Sequence, residues 1–170
     1  ARVITDLLRK NHGLTSGAVL DASCGIGTQS IGLARAGFAV TATDISPAAV
    51  KRCAHEAATR GLDITTGVAD LRVLDIDGAG CFDAVLSFDN ALPHLLDDID
   101  RVVDAVGADL GPIRHVVNDA AVNWAGPVWD YDLEKFDRTM AVNLTGPWYL
   151  CRQAMPMMRD AGGGTIVNIS

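Results

Sequence analysis

Short apolar runs alternate along the chain with segments that carry apolar residues at helical spacing, and glycine or polar residues separate them. Parallel strands covered by helices on both faces read as short apolar runs, because both of their sides are buried. We therefore predict an α/β fold with three layers and a doubly wound parallel sheet of about six strands in the order 3-2-1-4-5-6. The predicted strands are Val19–Asp21, Val40–Asp44, Ile64–Gly67, Ala84–Ser87, His115–Asn118 and Thr165–Ile169.

Helices are predicted where apolar residues recur every three or four positions. Ser46 and Pro47 are typical of a helix start, and they precede the predicted helix 48–60. Other predicted helices cover 2–10 and 99–110, and a long helix is capped by Asp132. The residues predicted to point inward from that long helix are Phe136, Met140, Leu144 and Cys151.

The stretch from Val19 to Ser46 organises the first half of the chain. Its first strand ends at Asp21, the turn Cys24-Gly25-Ile26-Gly27-Thr28 follows, and after a helix the second strand ends at Asp44. Glycines at such a turn let the backbone approach a ligand closely. A strand, glycine turn, helix and strand in this order predict the front of a Rossmann-type nucleotide site, although a tight turn without a ligand also fits a lone G-x-G.

Two classes of nucleotide ligand compete for this site. A dinucleotide site has G-x-G-x-x-G, and Ser30 stands where its third glycine would be. Asp44 is placed to bind ribose hydroxyls in either class. The pattern from Asp21 to Gly27 resembles motif I of the S-adenosylmethionine-dependent methyltransferases, with Ser23 in place of the first glycine. S-adenosylmethionine or S-adenosylhomocysteine is therefore the expected cofactor, and NAD(P) is unlikely on this interpretation.

A second motif extends the resemblance over residues 1–98. FDAVLSFDNALPHLLDD, which follows GVADLRVL, is similar to motif IV and its loop in small-molecule N-methyltransferases of the glycine and sarcosine type. The resemblance implies that Asp70 accepts from the adenine amino group, with a turn cap as the alternative, and that Asp21 faces the ligand's ammonium group. The cofactor-binding residues that it implies are Asp21, Ser23, Gly25, Gly27, Thr28, Asp44, Ile45, Asp70, Leu71, Ser87, Phe88 and Asn90.

Residues 99–170 resemble the middle of a short-chain dehydrogenase/reductase. VVNDAA at 116–121 matches a strand that ends in N-N-A-G, with Asp119 and Ala121 as departures, and GTIVNIS at 164–170 matches the next strand. Asn143 in MAVNLTG matches the helix asparagine of that family's catalytic tetrad. The tetrad's serine, tyrosine and lysine would follow Ser170, so no general acid or base is expected and Asn143 is predicted to be a remnant that tethers a helix.

The two resemblances together predict one domain over 1–170, composed of a methyltransferase-like half, 1–98, and a dehydrogenase-like half, 99–170. The fifth to seventh strands of the first family, with their acceptor-binding elements, are replaced. We therefore expect an engineered or recombined chimera that is not an enzyme, has no catalytic residue and binds S-adenosylmethionine at most. A small-molecule N-methyltransferase and an NAD(P)-dependent oxidoreductase are the alternatives.

Composition narrows the classes of partner. The 170 residues are 49% hydrophobic and 21% charged, as in globular domains, and a formal net charge of −7 disfavours nucleic acid. There is no apolar run of about eighteen residues and no signal pattern, so a cytoplasmic protein without membrane contact is expected. The four cysteines lack C-x-x-C spacing, so neither a metal site nor a disulfide is expected. A small-molecule cofactor is the only partner predicted, and the methyl acceptor and the oligomeric state stay open.

Overall fold

The computed structural model describes residues 2–73, 82–87, 98–118 and 121–168. The chain divides into two compact units, Ala1–Ser87 and Phe88–Ser170. The expectation that one domain spans 1–170 stays a prediction.

The first unit contains a four-stranded parallel sheet. Its strands are β1 (Ala18–Asp21), β2 (Ala39–Asp44), β3 (Ile64–Val68) and β4 (Ala84–Leu86). They are arranged in the order β3-β2-β1-β4, and each neighbouring pair is parallel. The predicted order 3-2-1-4 is therefore confirmed for these strands.

The helices that the structure describes in this unit are α1 (Arg2–His12), α2 (Thr28–Arg35) and α3 (Pro47–Thr59). The start of α3 follows the predicted capping pattern, because the Ser46 hydroxyl accepts from the Ala49 N–H at 3.3 Å. Their apolar faces close a core with the central strands, formed by Leu8, Val19, Cys24, Leu33, Phe38, Val40, Ala42 and Cys53. Val19 and Leu20 of β1 are completely buried, which explains why this strand lacks polar alternation.

The second unit pairs two strands in parallel, β5 (His115–Asn118) and β6 (Thr165–Asn168). Its helices are α4 (Ile99–Ala105), α5 (Leu133–Met140) and α6 (Gly146–Asp160). A π-helical turn, Val106–Leu110, follows α4, another, Ala141–Thr145, joins α5 to α6, and a 3-10 turn covers Val128–Asp130. The buried residues at the centre of this unit are Ile99, Val103, Val116, Leu150, Ala154 and Met158.

The predicted continuous order 3-2-1-4-5-6 is wrong in one detail. Within the described ranges β5 and β6 form a sheet of their own, and no ladder joins them to β4. The physical reason lies in the length of β4, which has only the residues Ala84–Leu86. So short a strand offers few ladder positions to a second neighbour.

The predicted inward face of the long helix is wrong for three of its four residues, whereas Cys151 is half-buried. Asp132 does cap this helix, since its carboxylate accepts from the N–H groups of Glu134 and Lys135. Phe136, Met140 and Leu144, however, are exposed. The residues that point inward are Val142, Gly146, Leu150, Ala154 and Met158. Apolar residues occur on several sides of this segment, so helical spacing alone fits more than one face.

Candidate functional site

The predicted cofactor residues of the first unit meet at one edge of its sheet. Asp21 and Asp44 end β1 and β2, Asp70 follows β3, and Ser87 follows β4. Because parallel strands all end at the same edge, these polar side chains come from four different strands to one place. This edge is where open α/β sheets bind their ligands.

The carboxylate of Asp44 holds the glycine turn. Its Oδ2 accepts from the Gly25 N–H and its Oδ1 from the Ser46 N–H, each at 2.9 Å. Gly25 has φ 53°, and a Cβ added there would meet no atom within 4 Å. A carboxylate offers about four acceptor positions, so two remain for ligand hydroxyls after these bonds. The turn is therefore open to a ligand at Gly25, and Asp44 can bind it from the neighbouring strand.

Asp21 and Ser30 form a buried pair beneath the turn. Their exposed fractions are 1% and 0%, and the Ser30 hydroxyl donates to Asp21 Oδ2 at 2.6 Å. A side chain and its hydrogen bond thus fill the place where a dinucleotide site has its third glycine. This burial favours a structural role for Asp21, and its contact with a ligand's ammonium group stays a prediction.

Gly27 packs against a residue that sequence analysis did not include. It has φ 88°, and a Cβ there would lie 2.5 Å from the Cys53 sulfur on α3. The second glycine of the turn is therefore required by helix packing as well as by its backbone angle. Burial raises the pKa of the neighbouring Cys24 thiol, with Cys53 adding to the shift, so Cys24 stays protonated. Thr28 is the first residue of α2.

A contact between hydroxyl groups joins the turn to β4. Ser23 Oγ and Ser87 Oγ lie 3.1 Å apart, so these two predicted residues are brought together. Phe88 and Asn90, which were also predicted to line the site, lie outside the described residues.

Beyond β3 the carboxylate of Asp70 is bound by Arg72, which sequence analysis missed. The shortest of these contacts joins Arg72 Nη2 to Asp70 Oδ2 at 2.6 Å. Leu71 between them is buried, whereas Ile45 beyond β2 is 63% exposed. Other large apolar side chains exposed at this edge of the sheet are Ile26, Val68 and Val73. The edge thus offers exposed apolar surface beside two carboxylates.

In the second unit the amide of Asn143 binds a neighbouring backbone. Its Oδ1 accepts from the Val122 N–H and its Nδ2 donates to the Val122 carbonyl, each at 2.9 Å. This pair of bonds tethers the π-helical turn that precedes α6. Asn118 Nδ2 donates to Asn168 Oδ1 at 2.7 Å across the paired strands.

The described residues contain neither a cluster of metal ligands nor a membrane-spanning helix. No group of three or more His, Cys, Asp or Glu side chains there could hold a metal ion. None of the helices there has both the length and the apolar character needed to cross a membrane.

Two family models match the chain. The model described as a methyltransferase domain matches residues 19–112, which is more than half of the chain. The chain belongs to the methyltransferase domain family. The model described as short chain dehydrogenase matches residues 94–170. Both sequence resemblances are therefore confirmed, and the methyltransferase domain shares residues 94–112 with the dehydrogenase match.

Relatives of both kinds are found. A Caulobacter vibrioides protein named Ubiquinone biosynthesis O-methyltransferase is 45% identical over 86 residues, which is 51% of this chain and 32% of the relative. Glycine/sarcosine N-methyltransferase from Parasynechococcus marenigrum is 40% identical over 94 residues, 55% of this chain and 33% of the relative. The Mycobacterium tuberculosis protein named "Probable oxidoreductase EphD" is 36% identical over 164 residues, 95% of this chain and 24% of the relative.

Solved structures agree with a Rossmann-like α/β fold. A short-chain type dehydrogenase/reductase from Mycobacterium ulcerans superposes with a TM-score of 0.51 at 26% identity, covering 91% of this chain and 50% of that one. A structure on the conversion of a disulfide bond into a thioacetal group during echinomycin biosynthesis gives a TM-score of 0.53 at 35% identity, covering 61% and 43%.

The expectation that the chain is not an enzyme is wrong. Both family models describe enzyme families, and the relatives are named as methyltransferases and oxidoreductases. The inference rested on tetrad residues expected after Ser170, but the chain spans only about a quarter to a third of the length of these relatives. The statement that NAD(P) is unlikely is not supported either, since the dehydrogenase match and the oxidoreductase relative point toward that cofactor.

Proposed function

We propose that the unit Ala1–Ser87 carries the cofactor site of an S-adenosylmethionine-dependent small-molecule methyltransferase. The observation that carries the proposal is the bond between Asp44 and Gly25, which holds an open glycine turn beside a carboxylate with acceptor positions to spare. The methyltransferase domain match and the two methyltransferase relatives support the same class of enzyme.

The packing behind the turn favours this ligand over a dinucleotide. In a dinucleotide site the third glycine allows the helix and the strand to pack closely beside the pyrophosphate. Here Ser30 occupies that place and donates to buried Asp21 at 2.6 Å. The Ser30 side chain therefore fills the space that would let the helix and the strand pack more closely beside a pyrophosphate.

The roles of the edge residues follow from their positions. Asp44 would bind the ribose hydroxyls, and the Gly25 backbone would lie against the ligand. Ser23 and Ser87, in contact at 3.1 Å, would lie toward its methionine part. Bound S-adenosylmethionine supplies an electrophilic methyl group to a nucleophilic nitrogen or oxygen. The protein's task is to align that acceptor, and a small molecule is the partner that we propose.

Calorimetric titration with S-adenosylhomocysteine and with NAD⁺ tests the proposal. The parent should bind S-adenosylhomocysteine more tightly than NAD⁺. Asp44→Ala should weaken S-adenosylhomocysteine by about tenfold or more, because charge-assisted hydrogen bonds to the ribose are lost.

Asp63→Ala is the matched control, because it removes the same charge just before β3, at the opposite edge of the sheet. It should leave the affinity unchanged. Asp44 also holds the turn, so thermal unfolding of Asp44→Ala and Asp44→Asn separates lost stability from lost affinity. Tighter binding of NAD⁺, or equal S-adenosylhomocysteine affinity in the parent and both Asp44 variants, would overturn the proposal.

A second candidate is an NAD(P)-dependent oxidoreductase function of a longer protein. The short chain dehydrogenase match over 94–170 and the relative that aligns with 95% of this chain support it. The two family matches overlap at residues 94–112. This overlap also supports the hypothesis that recombination or engineering joined a methyltransferase-like segment to a dehydrogenase-like segment. Right-handed βαβ units share their geometry, which makes such a junction physically reasonable.

A further inference from the structure

The Asp70 carboxylate is fully occupied by its neighbour Arg72. Oδ1 accepts from the Arg72 backbone N–H and from Nε, each at 2.9 Å. Oδ2 accepts from Nε at 3.1 Å and from Nη2 at 2.6 Å. These contacts use all of the roughly four acceptor positions of a carboxylate. The guanidinium also holds the pKa of the Asp70 carboxyl below its usual range, so the group is ionised at neutral pH.

This ion pair lies at the ligand edge of the sheet. Asp44 pairs with Val68, and the Ala69 N–H donates to the Asp44 carbonyl at 3.2 Å, so Asp70 follows directly beside the ribose-binding strand. Ile45 and Val68 at this edge expose most of their apolar surface. Exposed apolar surface next to a carboxylate suits a planar base that carries an amino group.

We propose that Arg72 determines the base specificity of this site by competing with the 6-amino group of adenine for the Asp70 carboxylate. The inference rests on the proposed function. While Arg72 holds Asp70, an adenine amino group gains no acceptor there, whereas the 6-oxo group of hypoxanthine can accept from the guanidinium. The side chains of Arg72 and Asp70 are 37% and 29% exposed, so water can replace these bonds when the pair opens.

Titration of S-adenosylhomocysteine and of S-inosylhomocysteine into the parent and Arg72→Leu tests the competition. The parent should bind S-inosylhomocysteine at least as tightly as S-adenosylhomocysteine, because hypoxanthine can accept from the guanidinium while adenine gains no acceptor at Asp70. Arg72→Leu should bind S-adenosylhomocysteine about 3- to 10-fold more tightly and should prefer it to the inosine ligand by a similar factor. The gain should vanish in the double variant Asp70→Ala/Arg72→Leu, because it depends on the released carboxylate.

Arg60→Leu is the matched control for the lost positive charge. Arg60 also pairs with an acid, Glu56, but it lies after α3 at the opposite edge of the sheet. The affinities of Arg60→Leu for both ligands should equal those of the parent.

The outcomes separate this inference from the function on which it rests. Suppose that the parent binds S-adenosylhomocysteine through Asp44 and that Arg72→Leu binds this ligand equally well or more weakly. That result would overturn the role of Arg72 and leave the proposed function standing. A parent that already prefers the adenine ligand by about tenfold or more would do the same. Absence of S-adenosylhomocysteine binding in both the parent and Arg72→Leu would overturn the proposed function and the inference with it.

Discussion

The two units differ in how completely their strands are covered. In Ala1–Ser87 the central strand β1 has a paired neighbour on each side, and Val19 and Leu20 are completely buried. In Phe88–Ser170 the described strands are paired only with each other, and large apolar side chains stay exposed, among them Val128, Trp129 and Leu133. A run of consecutive βα units thus completes its own central strand, whereas each described strand of the second unit has one paired neighbour.

The burial of residues on α4 predicts where an introduced charge lowers the stability of the second unit most. Val102 of α4 is buried, so Val102→Asp should lower the free energy of unfolding by about 4 kcal/mol or more. Val106, four residues on in the π-helical turn, is half-buried, and Val106→Asp should cost only about 1 kcal/mol because its carboxylate can reach water. Denaturant midpoints measure both. Parent-like midpoints in both variants would show that α4 is not packed as described.

A matched pair of leucines sharpens the contrast between the units. Leu33 in the first core is 0% exposed and Leu133 in α5 is 77% exposed. Leu33→Ala should cost about 2–5 kcal/mol, since it leaves a cavity, and Leu133→Ala should stay within about 0.5 kcal/mol of the parent. Urea unfolding of both variants checks this. A large loss at Leu133 would mean that another surface covers α5 in solution.

The same contrast explains what the sequence could predict. The glycine turn and the carboxylates that end β1 and β2 follow from local patterns, because each depends on neighbours within one βα unit. The order of the four strands is not local, and it follows from the topology of doubly wound sheets. The inward face of the long helix did not follow, since apolar residues such as Met140 and Leu150 lie on different sides of it. In the candidate site, Asp44 was predictable from its place at the end of a strand. The hydrogen bonds from Arg72 to Asp70 depend on a turn conformation. The packing of Cys53 against Gly27 depends on a tertiary contact. Neither contact has a signal in the sequence.

Hydrogen exchange with and without saturating S-adenosylhomocysteine tests the central claim most directly, because it reports which unit holds the ligand. The account predicts slower exchange in peptides that cover the turn 22–28 and the strand exit 44–46, with peptides from 121–168 unchanged. Protection confined to 121–168, or no protection by S-adenosylhomocysteine together with protection of the turn by NAD⁺, would contradict it.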